Sequence, residues 1–411
     1  MNILRRLTLL PVLGYLAYLP LGPYPLKVGD VYLDHCFAFA ALILSMPFLP
    51  LVMPGSLRPI LLSVAGFLVL GTISSAFAQS WEVSGRAIAV YCGYSALALT
   101  IPLAYHRSFH GLRTFLFCSA TVVALVVLSL HYGSESGRQM RFSFGTVPDP
   151  ESVNISGLGD GAYVDPNMTA IGLLLSLIIY FPNLLDGGKR RFWRILYEII
   201  AASVIFSACL IFISRTALTA FFSALGLAII VNARENINAL LRIASRKTIL
   251  TFVCGTLAFV LVVWWQWDMV SLVLSRLGIN PERGLDTDLE NIDSARVGLI
   301  KEAFTLWAQD ARTILFGIGF FVTNPHNEYL RMLTDCGLLG LTAFVTLLTT
   351  FYIRICRISE FGIKYLFCQT TLFSYITVAM LFYGHTKTLW VSLMFLTGYW
   401  METREKIFRD N

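Results

Sequence analysis

Asn324-Pro325-His326-Asn327-Glu328-Tyr329-Leu330 stands where a long polar segment gives way to the apolar run 338–353. A proline and polar residues followed by an apolar run mark the start of a helix. If that helix crosses a membrane, His326 stands at the water–lipid boundary beside a helix N-terminus. An imidazole there titrates and exchanges protons with solvent, so it is a candidate general base; it is equally readable as a capping or interfacial histidine.

The rest of the chain supports the membrane premise. Hydrophobic residues make up 56% of the 411 and charged residues only 14%, where a soluble domain is about one quarter charged. The composition is that of a polytopic membrane protein. The eight cysteines fall in or beside apolar runs without a Cys-x-x-Cys pair, which argues against a disulfide scaffold or a structural zinc site. Arg5-Arg6 and the apolar run after them lack a small-x-small cleavage site, so the run reads as a retained first helix.

Apolar runs long enough to span a bilayer, about 17–25 residues each, lie near 4–22, 32–53, 59–78, 86–105, 113–132, 166–184, 195–214, 216–233, 248–266, 328–353, 364–383 and 386–402. They predict an all-α, polytopic membrane protein of twelve transmembrane helices, a single integral domain over 1–411. Short loops on one side hold Arg5, Arg6, Arg58, Arg107, Arg113, the cluster 189–194, the cluster 234–247, and Arg354, Arg357 and Lys364, with Arg404, Lys406 and Arg409 at the end. These are the greater part of the 31 Lys and Arg, and short loops set orientation most strongly. Both termini are therefore expected inside.

Two outer loops are long. Residues 133–165 are Gly/Ser-rich and end on the Asp165-Pro166-Asn167 turn. Residues 267–327 are too long for a plain connector. Within them, Asp293 or Ser294 caps a predicted helix with Val297, Ile300, Phe304 and Trp307 at helical spacing, and Met269 to Leu277 reads as a shorter amphipathic piece. The loop is expected to form a helical cap on the outer surface.

The outer side also gathers charges at helix ends: Arg215, Arg296, His326, Arg331, His385 and Lys387. Arg215 sits in the tight Ser214-Arg215-Thr216 hairpin between two apolar runs. A guanidinium near the bilayer either faces a polar cavity, where its fork suits phosphate oxygens, or snorkels to the headgroups. Arg296 lies near a helix N-terminus, which favours anions, or it pairs with Asp293 or another acidic residue on the loop surface. His385 faces the same cavity or the interface. No Walker loop, dinucleotide fingerprint, zinc pattern or nucleophile elbow appears. Intramembrane acids are few: Asp34, Asp335 and Glu198. A coupled transporter more often carries charges at the midplane and two related halves.

His326-Asn327, followed after nine residues by Gly337-Leu338-Leu339-Gly340, resembles the His-[Asn/Ser/Gln]-x9-Gly-x-x-[Gly/Thr/Tyr] pattern of the O-antigen ligase family. Pro325, Phe316-Gly317-Ile318-Gly319, Ser214-Arg215-Thr216 and Asp165-Pro166-Asn167 are also similar to family features, as are twelve spans with a large outer loop before the tenth. The resemblance implies a GT-C-like membrane fold at the bacterial inner membrane with a periplasmic site. Its donor would be a glycan on undecaprenyl diphosphate, and its acceptor a lipid A–core sugar or another glycan. By the same resemblance His326 is the essential histidine, and Arg215 and Arg296 bind the diphosphate. Asn327, Arg331, His385 and Lys387 are further expected substrate contacts. Neither metal nor cofactor is required by these groups, and no nucleic-acid partner is expected.

These residues suit an inverting glycosyl transfer. The polymerases of one type within this chemistry carry paired Arg-x10-Gly motifs, and Arg138, Arg141, Arg276 and Arg283 lack Gly at that spacing. That favours a ligase over a polysaccharide polymerase. A flippase for the same lipid-linked glycan is the alternative from another class.

Overall fold

The computed structural model describes residues 7–21, 27–28, 31–49, 55–78, 81–133, 166–185, 192–212, 214–233, 279–280, 284–285, 294–323, 325, 327–356, 363–382 and 386–410, with isolated positions between 257 and 267. Apart from two pairs of two-residue antiparallel strands, the regular structure is helical. The helices are α1 (Leu10–Tyr18), α2 (Leu33–Ser45), α3 (Arg58–Ser75), α4 (Trp81–Tyr105), α5 (Phe109–Gly133), α6 (Pro166–Leu184) and α7 (Phe192–Ile211). They continue with α8 (Arg215–Val231), α9 (Ser294–Trp307), α10 (Ala311–Phe316), α11 (Glu328–Phe351), α12 (Ile363–Phe382) and α13 (Thr386–Asp410).

Among the described residues, six stretches are long and apolar enough to cross a membrane: Arg58–Ser75, Trp81–Gly133, Asn167–Leu184, Trp193–Ile211, Glu328–Cys356 and Lys364–Phe382. Trp81–Gly133 comprises α4 and α5, joined by a single 3₁₀ turn at His106–Ser108. Shorter apolar helices stand at Leu10–Leu21, Leu33–Phe48 and Thr216–Val231, where the first, second and eighth spans are expected. The expected span at 248–266, the loop at 133–165 and the piece from Met269 to Leu277 lie chiefly or wholly outside the described residues. The helix expected after Asp293 is α9.

Two compact units divide the chain. One is Met1–Ala41 with His110–Thr287, the other Leu42–Phe109 with Asp288–Asn411. In the first, α6 is the central helix, its apolar window almost wholly buried. The turn after α1 lies against it so closely that a Cβ on Gly172 would stand 2.5 Å from the Leu19 carbonyl oxygen. Phe117 stacks on Tyr180, with centroids 4.1 Å apart. The buried Glu198 carboxylate accepts from the Tyr180 hydroxyl at 2.8 Å and from Arg194 Nε at 3.1 Å.

In the second unit α3 and α4 pack on α11 and α13. Phe67 of α3 is the hub, its ring touching Tyr91, Phe320 and Phe344. Gly398 lets α13 close on Phe109, since a Cβ there would lie 1.9 Å from the ring. The short helix α10 begins with a capping box: Asp310 Oδ1 accepts from the Thr313 amide at 2.7 Å, and Thr313 Oγ1 accepts from the Asp310 amide at 3.0 Å. The Thr313 amide holds the Asp310 carboxyl below its ordinary range.

α11 is not one rod. Gly337 interrupts it at φ +68 and ψ −170. In a continuous helix the carbonyls of Thr334 and Asp335 would accept from the amides of 338 and 339. Here they accept from Ile318 N at 3.1 Å and Gly319 N at 3.0 Å, so the loop after α10 docks on the break. The approach is reciprocal. A Cβ on Gly317 (φ +77) would lie 2.2 Å from the Asp335 carbonyl, and one on Gly337 would lie 2.3 Å from that of Leu315. The two glycines are thus fixed by both backbone conformation and space.

Gly337→Ala carries the cost of a positive-φ, extended-ψ backbone that is essentially glycine's alone, about 1–3 kcal/mol, and must also push the α10 backbone away. It is expected to lower the thermal unfolding temperature of the detergent-solubilised protein clearly. Gly66→Ala is the control: it sits in the helical interior of α3 with nothing within 4 Å of its Cβ. There alanine is neutral or stabilising.

Candidate functional site

The break at Gly337 separates α11 into an apolar C-terminal part and a charged, buried N-terminal turn. Glu328, Arg331 and Asp335 share one face at helical spacing, and all three are buried. Arg331 Nη2 is ion-paired with the Glu328 carboxylate. It also donates to the Tyr91 hydroxyl at 3.2 Å, which in turn donates to Glu328 Oε1 at 3.0 Å. Above the guanidinium lies the Phe321 ring, with its centroid 3.9 Å from Cζ. Phe321 takes a positive φ of 66 to reach that position, a conformation uncommon for a bulky residue and maintained by its surroundings.

Asp335 ties the other end of the same loop. Its Oδ1 accepts from Thr323 Oγ1 at 2.7 Å and from the Thr323 amide at 3.0 Å. Its backbone carbonyl takes Ser74 Oγ of α3 as well as the Gly319 amide. Arg331 Nε and Asp335 Oδ2 have no hydrogen-bond partner among the described residues.

Asn327 is the N-cap of α11. Its Oδ1 accepts from the Leu330 amide at 2.9 Å, and its Nδ2 donates to the Leu381 carbonyl near the end of α12 at 2.8 Å. An amide side chain both caps the helix and bridges to a neighbour, which an alanine cannot do. Pro325 is buried. The chain on either side of His326 is therefore pinned at Thr323, Pro325 and Asn327. His326 itself lies outside the described residues, as does His385.

Arg215 is the first residue of α8, behind the cap Ser214, whose Oγ accepts from the Ala217 amide at 3.2 Å. Arg296 is on the first turn of α9, which packs on α11. The side chains of both lie outside the described part. Lys387, on the first turn of α13, is partly buried. Of the residues expected at the site, Arg331 belongs to the buried assembly at the head of α11, and the half-buried Asn327 caps the helix that carries it. That assembly also contains Tyr91, Phe321, Thr323 and Glu328, which the pattern around His326 does not single out. The spacing of Glu328, Arg331 and Asp335 on a mainly apolar helix was the available signal. Tyr91 and Ser74 carried none.

Removing one partner of a buried ion pair strands the other, at a cost of about 3–5 kcal/mol. Arg331→Met should therefore unfold at markedly lower temperature than the parent protein. Glu328→Gln combined with Arg331→Met should recover much of that loss, because the Glu328 charge is no longer stranded without its cation. Equal melting of the single and double variants would show that the pair is not coupled. Neither a protein-family model nor a curated protein matches this chain.

Proposed function

We propose that this chain is a lipid-linked glycan transferase of the O-antigen ligase kind, with His326 as its general base. The observation that carries the proposal is the construction of the head of α11. Buried charges and a bridging cap hold the chain on both sides of one histidine, at the end of an apolar helix. Holding a base to a fixed geometry is what such an expenditure of buried polar groups serves in an enzyme. The resemblance of His326-Asn327 and Gly337-x-x-Gly340 to the family pattern supports the same reading.

In the proposed reaction an acceptor hydroxyl, on a lipid A–core sugar, attacks the anomeric carbon of a glycan carried on undecaprenyl diphosphate. The new C–O bond forms as the bond from that carbon to the phosphate oxygen breaks, and its electron pair leaves with the diphosphate. His326 takes the hydroxyl proton, a contribution worth about 10²–10⁴-fold. A single displacement inverts the anomeric centre. The leaving group is already good and needs its developing charge offset rather than a strong acid, which is the role of Arg215 and Arg296. Asn327 and Arg331 act through the chain they hold, and His385 and Lys387 are further substrate contacts. The proposal extends to twelve spans, both termini in the cytoplasm of a bacterial cell, and transfer at the periplasmic face of the inner membrane.

Reconstitution with lipid-linked oligosaccharide and a lipid A–core acceptor tests it. His326→Ala and His326→Gln should both abolish transfer at normal expression, since glutamine keeps a hydrogen bond but accepts no proton. Wild-type activity should fall on acidification, because imidazolium cannot act as a base. Near-normal turnover by the Gln variant would remove His326 from the chemistry. Transfer to a second lipid-linked repeat unit instead of the core sugar would identify a polymerase.

Arg215→Lys keeps the charge but loses the planar two-point contact with phosphate, and it should lose most activity. Arg296→Ala should weaken donor use without unfolding the protein. Full activity in both would make them surface arginines. Orientation is checked separately with introduced cysteines: positions in 185–194 and 234–247 should resist an impermeant outer thiol reagent, while 280–292 should react.

A further inference from the structure

The second unit has an apolar surface that does not stop where its spanning helices stop. On α3, Leu62, Val69, Ile73 and, just past the helix, Phe77 form an exposed stripe opposite the buried Ile60, Val64, Phe67, Gly71 and Ser74. On α11, Leu338, Leu339 and Val345 are exposed beyond the break. Both helices are long and apolar enough to cross a membrane.

α10 is wedged between the two. Its Leu315 backbone abuts Gly337, immediately before Leu338 and Leu339. Its Phe316 ring lies 5.7 Å from that of Phe77. Leu315 is itself exposed.

α9 extends the same surface. Ala303 is buried, whereas Ile300 and Phe304, one turn apart on an adjoining face, are exposed at 38% and 46%. Trp307 continues that face and is held there by its Nε1–H, which donates to the Ile314 carbonyl at 3.2 Å, and by an edge contact with Phe304. Lys301, Glu302 and Thr305 occupy the remaining, exposed side. The helix thus has three sectors: one on protein, one apolar and open, one polar and open. That division suits a helix lying along a bilayer surface.

Arg312 fits the same level. It is half-exposed, pairs with Asp310 at 3.8 Å, and its Cζ lies 5.7 Å from the centroid of Phe77. A long cationic side chain over an interfacial aromatic is the usual arrangement at the headgroup boundary.

We propose that α9 and α10 form a bilayer-surface element. Ile300, Phe304 and Leu315 enter the phospholipid acyl region at the end of the bilayer where α3 finishes, Arg312 lies at the headgroups, and Lys301, Glu302 and Thr305 face water. The occupant is bulk phospholipid, as the apolar sector of α9 joins α10 through Trp307, and α10 in turn meets α3 at Phe77 and α11 at Gly337, beside their exposed apolar residues. The proposal is independent of glycan transfer.

The test uses the full chain in vesicles of phosphatidylethanolamine and phosphatidylglycerol, with no glycan donor present. p-Benzoylphenylalanine replaces Phe304, Leu315, Lys301 or Thr305, all exposed positions, and illumination is followed by intact-protein mass spectrometry. Phospholipid adducts should form at 304 and 315 in about five-fold excess over 301 and 305, following the depth of an interfacial helix. Equal yields at all four positions would overturn the proposal. So would cross-links from 304 or 315 to a second copy of the chain or to another segment of the same one. Hydroxyl-radical footprinting of the unsubstituted protein in the same vesicles gives a second readout: Phe304 must be protected by lipid relative to detergent micelles, and equal oxidation in both would count against the element.

Discussion

A helix that turns out of its own path at Gly337 frees two backbone carbonyls in an apolar setting, and the second unit is built around meeting their need. Unpaired backbone groups within a membrane domain cost several kcal/mol each, roughly. The amides of Ile318 and Gly319 supply the missing donors, and Ser74 supplies a third. The loop from Gly317 to Thr323 is thereby tied to α11, and α3 is tied to α11 at the same carbonyl. Because the contact is backbone on backbone, only glycine fits at 317 and 337, and the break is as fixed as the helices around it.

The charged turn follows from that geometry. Once the loop is laid across the start of α11, Phe321 is over Arg331 and Thr323 is beside Asp335. Burying charges this deeply is weak evidence of stabilisation, since a well-packed apolar replacement often does as well or better. Its firmer consequence is specificity of arrangement. An apolar cluster tolerates small rotations, whereas the contacts that join Tyr91, Glu328 and Arg331, and those that join Asp335 to Thr323, form in one arrangement of α4, α11 and the loop. A segment that must present one side chain reproducibly gains more from that selectivity than from added stability.

Much of this is legible in the amino-acid sequence. The helices at 58–75, 81–105, 166–184, 328–351 and 363–382 follow from runs of apolar residues, and α9 follows from the spacing of Val297, Ile300, Phe304 and Trp307. Gly317, Gly337 and Asn327 stood out as short motifs, although not for the reasons the structure supplies: two reciprocal close approaches and a bridging cap. Other features had no local signal. Tyr91 meets Glu328 across 237 residues of sequence. Phenylalanine carries no preference for the positive φ adopted at 321. Periodicity finds a helical face but not what covers it, so the exposure of Ile300 and Phe304 beside the buried Ala303 could not be read from spacing.

The two units solve one problem with the same three groups and to different depths. In the first, Glu198 accepts from Tyr180 and from Arg194; in the second, Glu328 accepts from Tyr91 and from Arg331. Both carboxylates are almost fully buried, at 3% and 1% side-chain exposure, so the arginines make the difference. Arg194 is 47% exposed and Arg331 only 7%. An arginine that reaches solvent keeps much of its hydration, and its pair is screened and modest in strength. One enclosed with its carboxylate has surrendered that hydration, and its interaction is neither screened nor replaceable by water. The Glu198 arrangement thus reads as a buried acid near a helix end relieved by a snorkelling cation. The Glu328 arrangement has no such exit: every polar group in it is answerable to the geometry of its neighbours, and that geometry is what reaches the chain on both sides of position 326.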